Sequence, residues 1–399
     1  MKKFFVIYKQ IFLFIILTIF LAACNNDPTS VGSELLQDAN KIKLNEFNTQ
    51  KENVRLSSNT FKKKITLGVS DKLILGKNSY VESYILLSFQ IYLADSLITK
   101  IKDNKLKVAE TWMDMKVKYS LGDKNLPFDF TVHQVRKKWG SDAFNYDSLK
   151  ILNYDANDVS YSRSITDTLV KFNLVPNTVF EWLQYSVDST LAPKNYGLLF
   201  KPTSATQRLL GFKGYQLTND PDVPTLYIVL EQPSVFKDTI LVSPYMDIHV
   251  VNGTEIYSPN DIVLEGGMGY KGYLFFDLSM LPSNIIISKA TLELSVDSLK
   301  SFDGTPSSDS IVVKVLKDSV SKSYTSDSTY YAILSRSGNV FSGDISWMVQ
   351  KWVSGKEENH GLELSLADEK SSVARIWIYG SKQSEALRPR LKIYYLKNN

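Results

Sequence analysis

The residues in this chain best suited to chemistry are aromatic and basic, not paired acids. Trp139, Phe144 and Tyr146 fall in a polar, loop-like stretch that also carries Arg136, Lys137 and Lys138. Small-ligand sites join apolar contact to a few polar groups that fix orientation. Ring faces stacking on pyranose faces beside positive side chains would suit an acidic polysaccharide. The competing assignment packs Trp139 at a sheet edge and leaves the lysines solvated.

Other chemistries find less support. Glycoside hydrolysis needs two carboxyl groups flanking the scissile bond at about 5–9 Å. Asp277 and Glu363 are one conceivable pair. Glu363, however, alternates with Leu362 and Leu364, which puts it on the solvent face of a strand, and Asp277 reads as the cap of the turn after its own strand. A serine hydrolase would show Gly-x-Ser-x-Gly, which is missing, and His133 and His249 sit in strand-like patterns. His360 is the best candidate base for a lyase, yet its counterpart in an internal repeat is Tyr196, so the position reads as packing. Three histidines are too scattered for a His-rich metal site. Asp155, Asn157 and Asp158 offer oxygen ligands for calcium, which takes six to eight, but without the glycine and terminal glutamate of an EF-hand. Gly266-Gly267-Met268-Gly269 has no helix after it and reads as a turn, not a phosphate cradle. The expectation is a non-catalytic protein with no cofactor.

The elements that must carry such a site begin with the N-terminus. Met1–Lys9 holds three lysines and no acid, Ile11–Phe20 is apolar except for Thr18, and Leu21-Ala22-Ala23-Cys24 follows. A basic region, an apolar region and a small-residue cleavage site make a signal peptide, and a cysteine in this place makes it a bacterial lipoprotein signal. The apolar stretch is short of the ~20 residues that span a bilayer. Residues 1–23 are expected to be removed and Cys24 to carry lipid; dual acylation gives stable anchoring where one chain is marginal. Asn25 and Asn26, in place of an Asp, favour the outer membrane. Loss of Lys2, Lys3 and Lys9 lowers the net charge from +4 to about +1, which removes any global pull toward nucleic acid. With one cysteine in the chain, no internal disulfide is available and stability rests on packing.

Residues 24–60 are polar, with little periodicity, and read as a tether. Beyond them runs rich in Val, Ile, Leu, Tyr and Thr alternate with period two, as in Met113–Tyr119, Ile311–Leu316 and Leu391–Tyr395, between Gly, Pro, Asn, Asp and Ser. This is the pattern of an all-β sandwich or barrel.

The chain also repeats. Leu73-Ile74-Leu75-Gly76 with Tyr84–Phe89 mirrors Ile262-Val263-Leu264-Glu265 with Tyr273–Leu278, at equal spacing. Met113, Met115 and Val117 mirror Leu292, Leu294 and Val296. Asn195-Tyr196-Gly197-Leu198 mirrors Asn359-His360-Gly361-Leu362, and Pro224-Thr225-Leu226 mirrors Pro389-Arg390-Leu391. The order is the same in both halves. Two copies of one β-domain follow, at 61–231 and 240–399, with 232–239 as linker. The first is longer around Asp95–Asn104 and Tyr146–Ser164. Val179 and Leu183, like Ile345 and Val349, are four apart, which predicts one short helix per copy.

The second copy resembles the DNRLRE-type domain. The resemblance is carried by Gly272-Tyr273-Leu274-Phe275-Phe276-Asp277-Leu278-Ser279 with Ile287-Ser288-Lys289-Ala290-Thr291-Leu292, by Gln350-Lys351-Trp352-Val353-Ser354-Gly355 with Asn359-His360-Gly361-Leu362, and by Arg388-Pro389-Arg390-Leu391. It covers most of 240–397; the first copy fits only through the second, and the naming hexapeptide is in neither. The resemblance implies a β-jelly-roll, exported and often joined to polysaccharide-active enzymes, with no general catalytic residues. The functional expectation is a cell-surface lipoprotein that binds or adheres to polysaccharide through Trp139, Phe144, Tyr146, Arg136 and Lys138. The alternatives are a scaffold holding a partner protein at the outer membrane and, more weakly, a polysaccharide hydrolase or lyase.

Overall fold

The computed structural model describes residues 43–215, 220–318, 324–327 and 329–397. The expected signal, Cys24 and the expected tether up to residue 42 lie outside them. The protein is an all-β, two-domain β-sandwich built from two large curled sheets with few helices. Every strand pairing is antiparallel.

The repeat holds strand for strand. Lys72–Lys77, Val81–Phe89, Lys107–Leu121 and Phe130–Gln134 in the first copy answer to Ile262–Glu265, Tyr270–Phe276, Ile285–Ser295 and Ser310–Asp318 in the second. The hairpin Ser160–Ile165 and Leu169–Leu174 answers to Ala332–Ser337 and Val340–Asp344. Leu198–Pro202, Leu209–Lys213 and Thr225–Gln232 answer to Leu362–Leu366, Arg375–Ile378 and Arg390–Lys397. The expected helices are Pro176–Val187 and Ser346–Val353, with Val179, Leu183 and Val349 buried. Two further helices, Asp95–Lys102 and Tyr146–Lys150, lie in the two stretches by which the first copy is longer.

The turn before the Leu198 and Leu362 strands is the same device twice. Asn195 donates from Nδ2 to the Phe89 carbonyl at 3.3 Å and accepts at Oδ1 from the Gly197 N–H at 2.8 Å. Asn359 donates to the Phe276 carbonyl at 2.9 Å and accepts from Gly361 at 3.1 Å. Both glycines have φ of 95°, a conformation that costs an L side chain.

The domain boundaries differ from the sequence expectation, because the copies exchange their leading strands. Within the expected tether, Leu44–Asn48 and Leu56–Lys62 are strands, and both belong to the second copy's sheet: Leu44–Asn48 pairs with Arg390–Lys397 and Leu56–Lys62 with Tyr270–Phe276. The expected linker is half of a hairpin, since Phe236–Val242 folds back on Thr225–Gln232. Pro244–Gly253, expected in the second domain, pairs with Val81–Phe89 of the first. Each copy is thus completed by the two strands that precede the other. A strand's alternation sets which face it buries, not which sheet takes it.

Alternate side chains fill two cores. Leu73, Leu75, Ile85, Leu87, Met113 and Phe212 line that of the first copy; Leu274, Leu292, Ile311, Phe341 and Ile376 that of the second. A third cluster covers the opposite face of the first copy's sheet, where Ile74, Leu86 and Leu199 meet Trp139, Leu149 and Leu152 and, from the second copy's segments, Ile248, Val250 and Val373. The copies also join directly. Ser120 and Thr305 exchange backbone hydrogen bonds at 3.0 and 2.8 Å, and Tyr80 packs on Phe302 at 4.7 Å. Among the described residues no helix is long and apolar enough to cross a membrane.

Candidate functional site

The helix Tyr146–Lys150 is held by local rules. Asn145 caps it, Oδ1 accepting from the Ser148 N–H at 3.0 Å, and Leu149 anchors it in the third cluster. One turn separates Tyr146 from Lys150, so the Lys150 ammonium sits 4.8 Å over the Tyr146 ring while pairing with Asp147 at 2.9 Å. The helix edges a cleft of about 460 Å³. Phe144 and Tyr146 line it from the insert, Lys62, Lys63 and Lys64 from the end of the exchanged strand Leu56–Lys62 and just beyond, and Val250–Gly253 from the other exchanged strand. A second hollow of about 170 Å³ shares Tyr146 and Lys150 and adds Tyr84, Tyr154 and Lys201. Tyr146 and Lys150 therefore stand between two depressions, the larger of which needs the exchanged strands to exist.

The charges are unequal. Lys62 pairs with Glu255 at 2.8 Å. Lys63 pairs at 2.9 Å with Glu363, which Lys271 also approaches at 3.4 Å, and Lys271 reaches Glu369 at 2.9 Å. Lys64 and Lys201 make no ion pair among the described residues; Lys201 donates to the Tyr154 hydroxyl at 2.8 Å and lies 4.9 Å over its ring. Tyr84 packs 6.1 Å from Tyr146, and its hydroxyl is pushed well above the usual range, first by burial and then by Glu82. It stays protonated and can donate to a ligand oxygen. The groove offers aromatic rings, hydroxyl donors and a surplus of ammonium groups.

The structure separates the residues expected from sequence. Phe144 and Tyr146 line the cleft. Trp139 does not: it is 7% exposed, its indole N–H donates to the Tyr196 carbonyl at 2.8 Å, and Phe144 stands edge-on to it at 6.0 Å. Trp139 supports the wall and presents no ring face to solvent. Arg136 forks onto Asp155 at 3.0 and 2.9 Å, and Lys138 is exposed away from the cleft lining.

Two of the three calcium candidates are engaged by the protein itself. Asp155 holds Arg136, whereas Asp158 accepts from the Val132 and Ser160 N–H groups and from Arg163. Asn157 is exposed. No cluster of three His, Cys, Asp or Glu suited to a metal occurs among the described residues.

Glu363 is a second correction. Its side chain is 2% exposed, not solvated. Desolvation raises its pKa, but the Lys271 and Lys63 charges outweigh this and hold it below the usual range, which unfits it as a proton donor. Asp277 caps its turn as expected, accepting from Ser279 N–H at 3.0 Å. His133 bonds the Asp155 carbonyl and Thr131 and serves the fold. Of the tryptophans read mostly as core, Trp182 and Trp352 are buried, whereas Trp112, Trp347 and Trp377 are half-buried.

The sequence reading missed Lys62, Lys64, Tyr84, Lys150, Tyr154 and Lys201. The lysine triplet and the Tyr146–Lys150 spacing were visible signals, but only the strand exchange shows that they meet. No family model matches the chain, and no curated protein is similar enough to count as a relative.

Proposed function

We propose that the chain is a non-catalytic, lipid-anchored surface protein whose Tyr146 cleft binds an acidic polysaccharide. The observation that carries this reading is the gathering, in two hollows that share Tyr146 and Lys150, of Phe144, Tyr84 and Tyr154 with Lys62, Lys64 and Lys201. Rings supply stacking area, and Lys64 and Lys201, which have no acid partner among the described residues, supply attraction for carboxylate or sulfate, while Lys62 and Lys150 are shared with Glu255 and Asp147. The signal-like segment at 1–23 and the single cysteine at position 24 support export and anchoring at the bacterial outer membrane. The resemblance of 240–397 to DNRLRE-type domains, some of them carbohydrate-binding, points the same way.

The test is isothermal titration of the soluble protein, starting after Asn26, against uronic-acid, sulfated and neutral polysaccharides. Saturable binding of an acidic class is expected, weakening with added salt and falling about tenfold or more, ~1.4 kcal/mol, in Tyr146→Ala. Equal binding of neutral and acidic chains, or none, rejects the reading. For the anchor, Cys24→Ser is expected to move the protein from the membrane to the soluble fraction.

A further inference from the structure

The two copies differ in one row of side chains. In the first copy Lys237, Glu231 and Lys107 lie side by side across three neighbouring strands, and Lys107 pairs with Glu231 at 3.4 Å. The repeat puts Leu44, Leu396 and Ile286 at the same three positions in the second copy. The bulge beside the row recurs too, skipping Ala109 in the first copy and Ser288 in the second. Residues directly opposite in a ladder share a face, and here it is the outer one: Leu44 is 59% exposed and Ile286 51%, with Leu396 half-buried between them. The fold is satisfied by an ion-paired row at this place, so the aliphatic row serves something outside the domain. Leu44–Asn48 is moreover an edge strand, where exposed charge is the usual protection.

The surroundings are basic. Lys43 precedes Leu44, Lys397 follows Leu396 and Lys289 lies beyond Ile286; all three are exposed, and none has an ion pair among the described residues. The counterpart of Lys289 in the first copy is an acid, Glu110. The acid nearest the row on its own strand, Glu46, is held by Lys51 at 3.3 Å. Leu44 also follows Cys24 by twenty residues, so the row stands within about 70 Å of the lipid-bearing position, however the intervening chain runs.

We propose that this edge of the second copy's sheet rests on an anionic lipid surface, with Leu44, Leu396 and Ile286 in the headgroup layer and Lys43, Lys289 and Lys397 against phosphate. The proposal rests on the reading of Cys24 as the lipid-bearing residue. An acyl anchor holds more firmly with a second, basic contact, and tethering raises the local concentration so that a small patch suffices.

The test uses protein beginning at Cys24, coupled through that thiol, the only one in the chain, to maleimide lipid in vesicles of phosphatidylcholine with or without phosphatidylglycerol. The coupling holds the protein on lipid whether or not the cell acylates Cys24. Failure here is therefore distinct from failure of the anchor, which Cys24→Ser fractionation reads. Benzoylphenylalanine is placed at position 286, or at its first-copy counterpart, position 107, and illuminated. Lipid adducts are expected at 286 on the anionic vesicles, several-fold fewer without phosphatidylglycerol, and few at 107. Leu44→Lys with Leu396→Glu brings the first copy's charges to the flanking positions. It should cut the yield at 286 several-fold and leave the thermal melt near that of wild type. Equal yields at 286 and 107, no adduct at either, or a yield that the double variant leaves unchanged overturns the proposal. So does a protein–protein adduct at 286 in place of the lipid one, which would assign the edge to a second copy of this chain.

Discussion

His249 lies directly across the ladder from Ile85, so an imidazole from the second copy's leading strand is wholly buried in the first copy's sheet. Burial pushes its pKa down to about 4 from 6.5, with the Lys72 backbone opposing only in part. The unfolded chain therefore takes up a proton as pH falls through 6.5, and the folded chain does not until about 4. Stability is lost across that window, by about 3 kcal/mol at the ~1.4 kcal/mol per unit of such shifts. Asp247 and Glu265 act in the opposite sense, because burial raises them to about 6 and about 7, and folding gains as they protonate. The His249 part is isolated by urea midpoints of wild type and His249→Phe from pH 7 to 4. The gap between the two proteins should move in favour of the variant as pH falls; a gap independent of pH would refute the assignment.

Arg375 forks onto Glu265 at 3.1 Å through both Nε and Nη2, its guanidinium 4.5 Å under the Tyr80 ring, and the Glu265 side chain is wholly buried. Removing one partner strands the other charge away from water, at about 3–5 kcal/mol. Arg375→Met is expected to lower the unfolding free energy by that amount near pH 8, where Glu265 is ionised, and by less near pH 5, where burial keeps it neutral. The double variant with Glu265→Gln should recover most of it, since no buried charge is left. An Arg375→Met protein as stable as wild type at pH 8 would mean that water reaches the pair.

Trp139 was legible as a residue of interest but not as what it is. In a polar stretch an indole reads as exposed, yet Val135, Leu149 and Leu152 around it are buried against Ile74, Leu86 and Leu199. The reason is that the sheet is apolar on both faces, and period-two alternation cannot announce the second burial. The strands, the repeat and the paired Asn-x-Gly turns were readable, since each is local. The exchange of leading strands was not: Leu44–Asn48 and Leu56–Lys62 are short and polar, and their partners lie hundreds of residues away. Trp139→Ala is accordingly expected to cost about 3–5 kcal/mol of stability, as emptying a buried aromatic site does, while Trp139→Phe keeps most of it. Below the melting transition of each variant, glycan affinity should fall far less than in Tyr146→Ala. A strong loss of affinity in a fully folded Trp139→Phe protein would return the ring to the binding surface.

The twin turns allow a ranked prediction. A Cβ on Gly197 would lie 1.9 Å from the Leu87 carbonyl oxygen, and one on Gly361 2.8 Å from that of Leu274, both at φ of 95°. The conformational cost is shared, about 1–2 kcal/mol for a left-handed L-residue. The clash is not equal: both carbonyls belong to strands held on two sides, Leu87 by Leu198–Pro202 and the exchanged Pro244–Gly253, Leu274 by Leu362–Leu366 and the exchanged Leu56–Lys62, but the Leu87 oxygen stands much nearer the added carbon. Gly197→Ala should therefore destabilise more than Gly361→Ala, where a smaller shift relieves the contact. Thermal melts of the two single variants decide it. Equal losses would mean that the sheet around Leu87 yields, and that the exchanged strand does not hold it rigid.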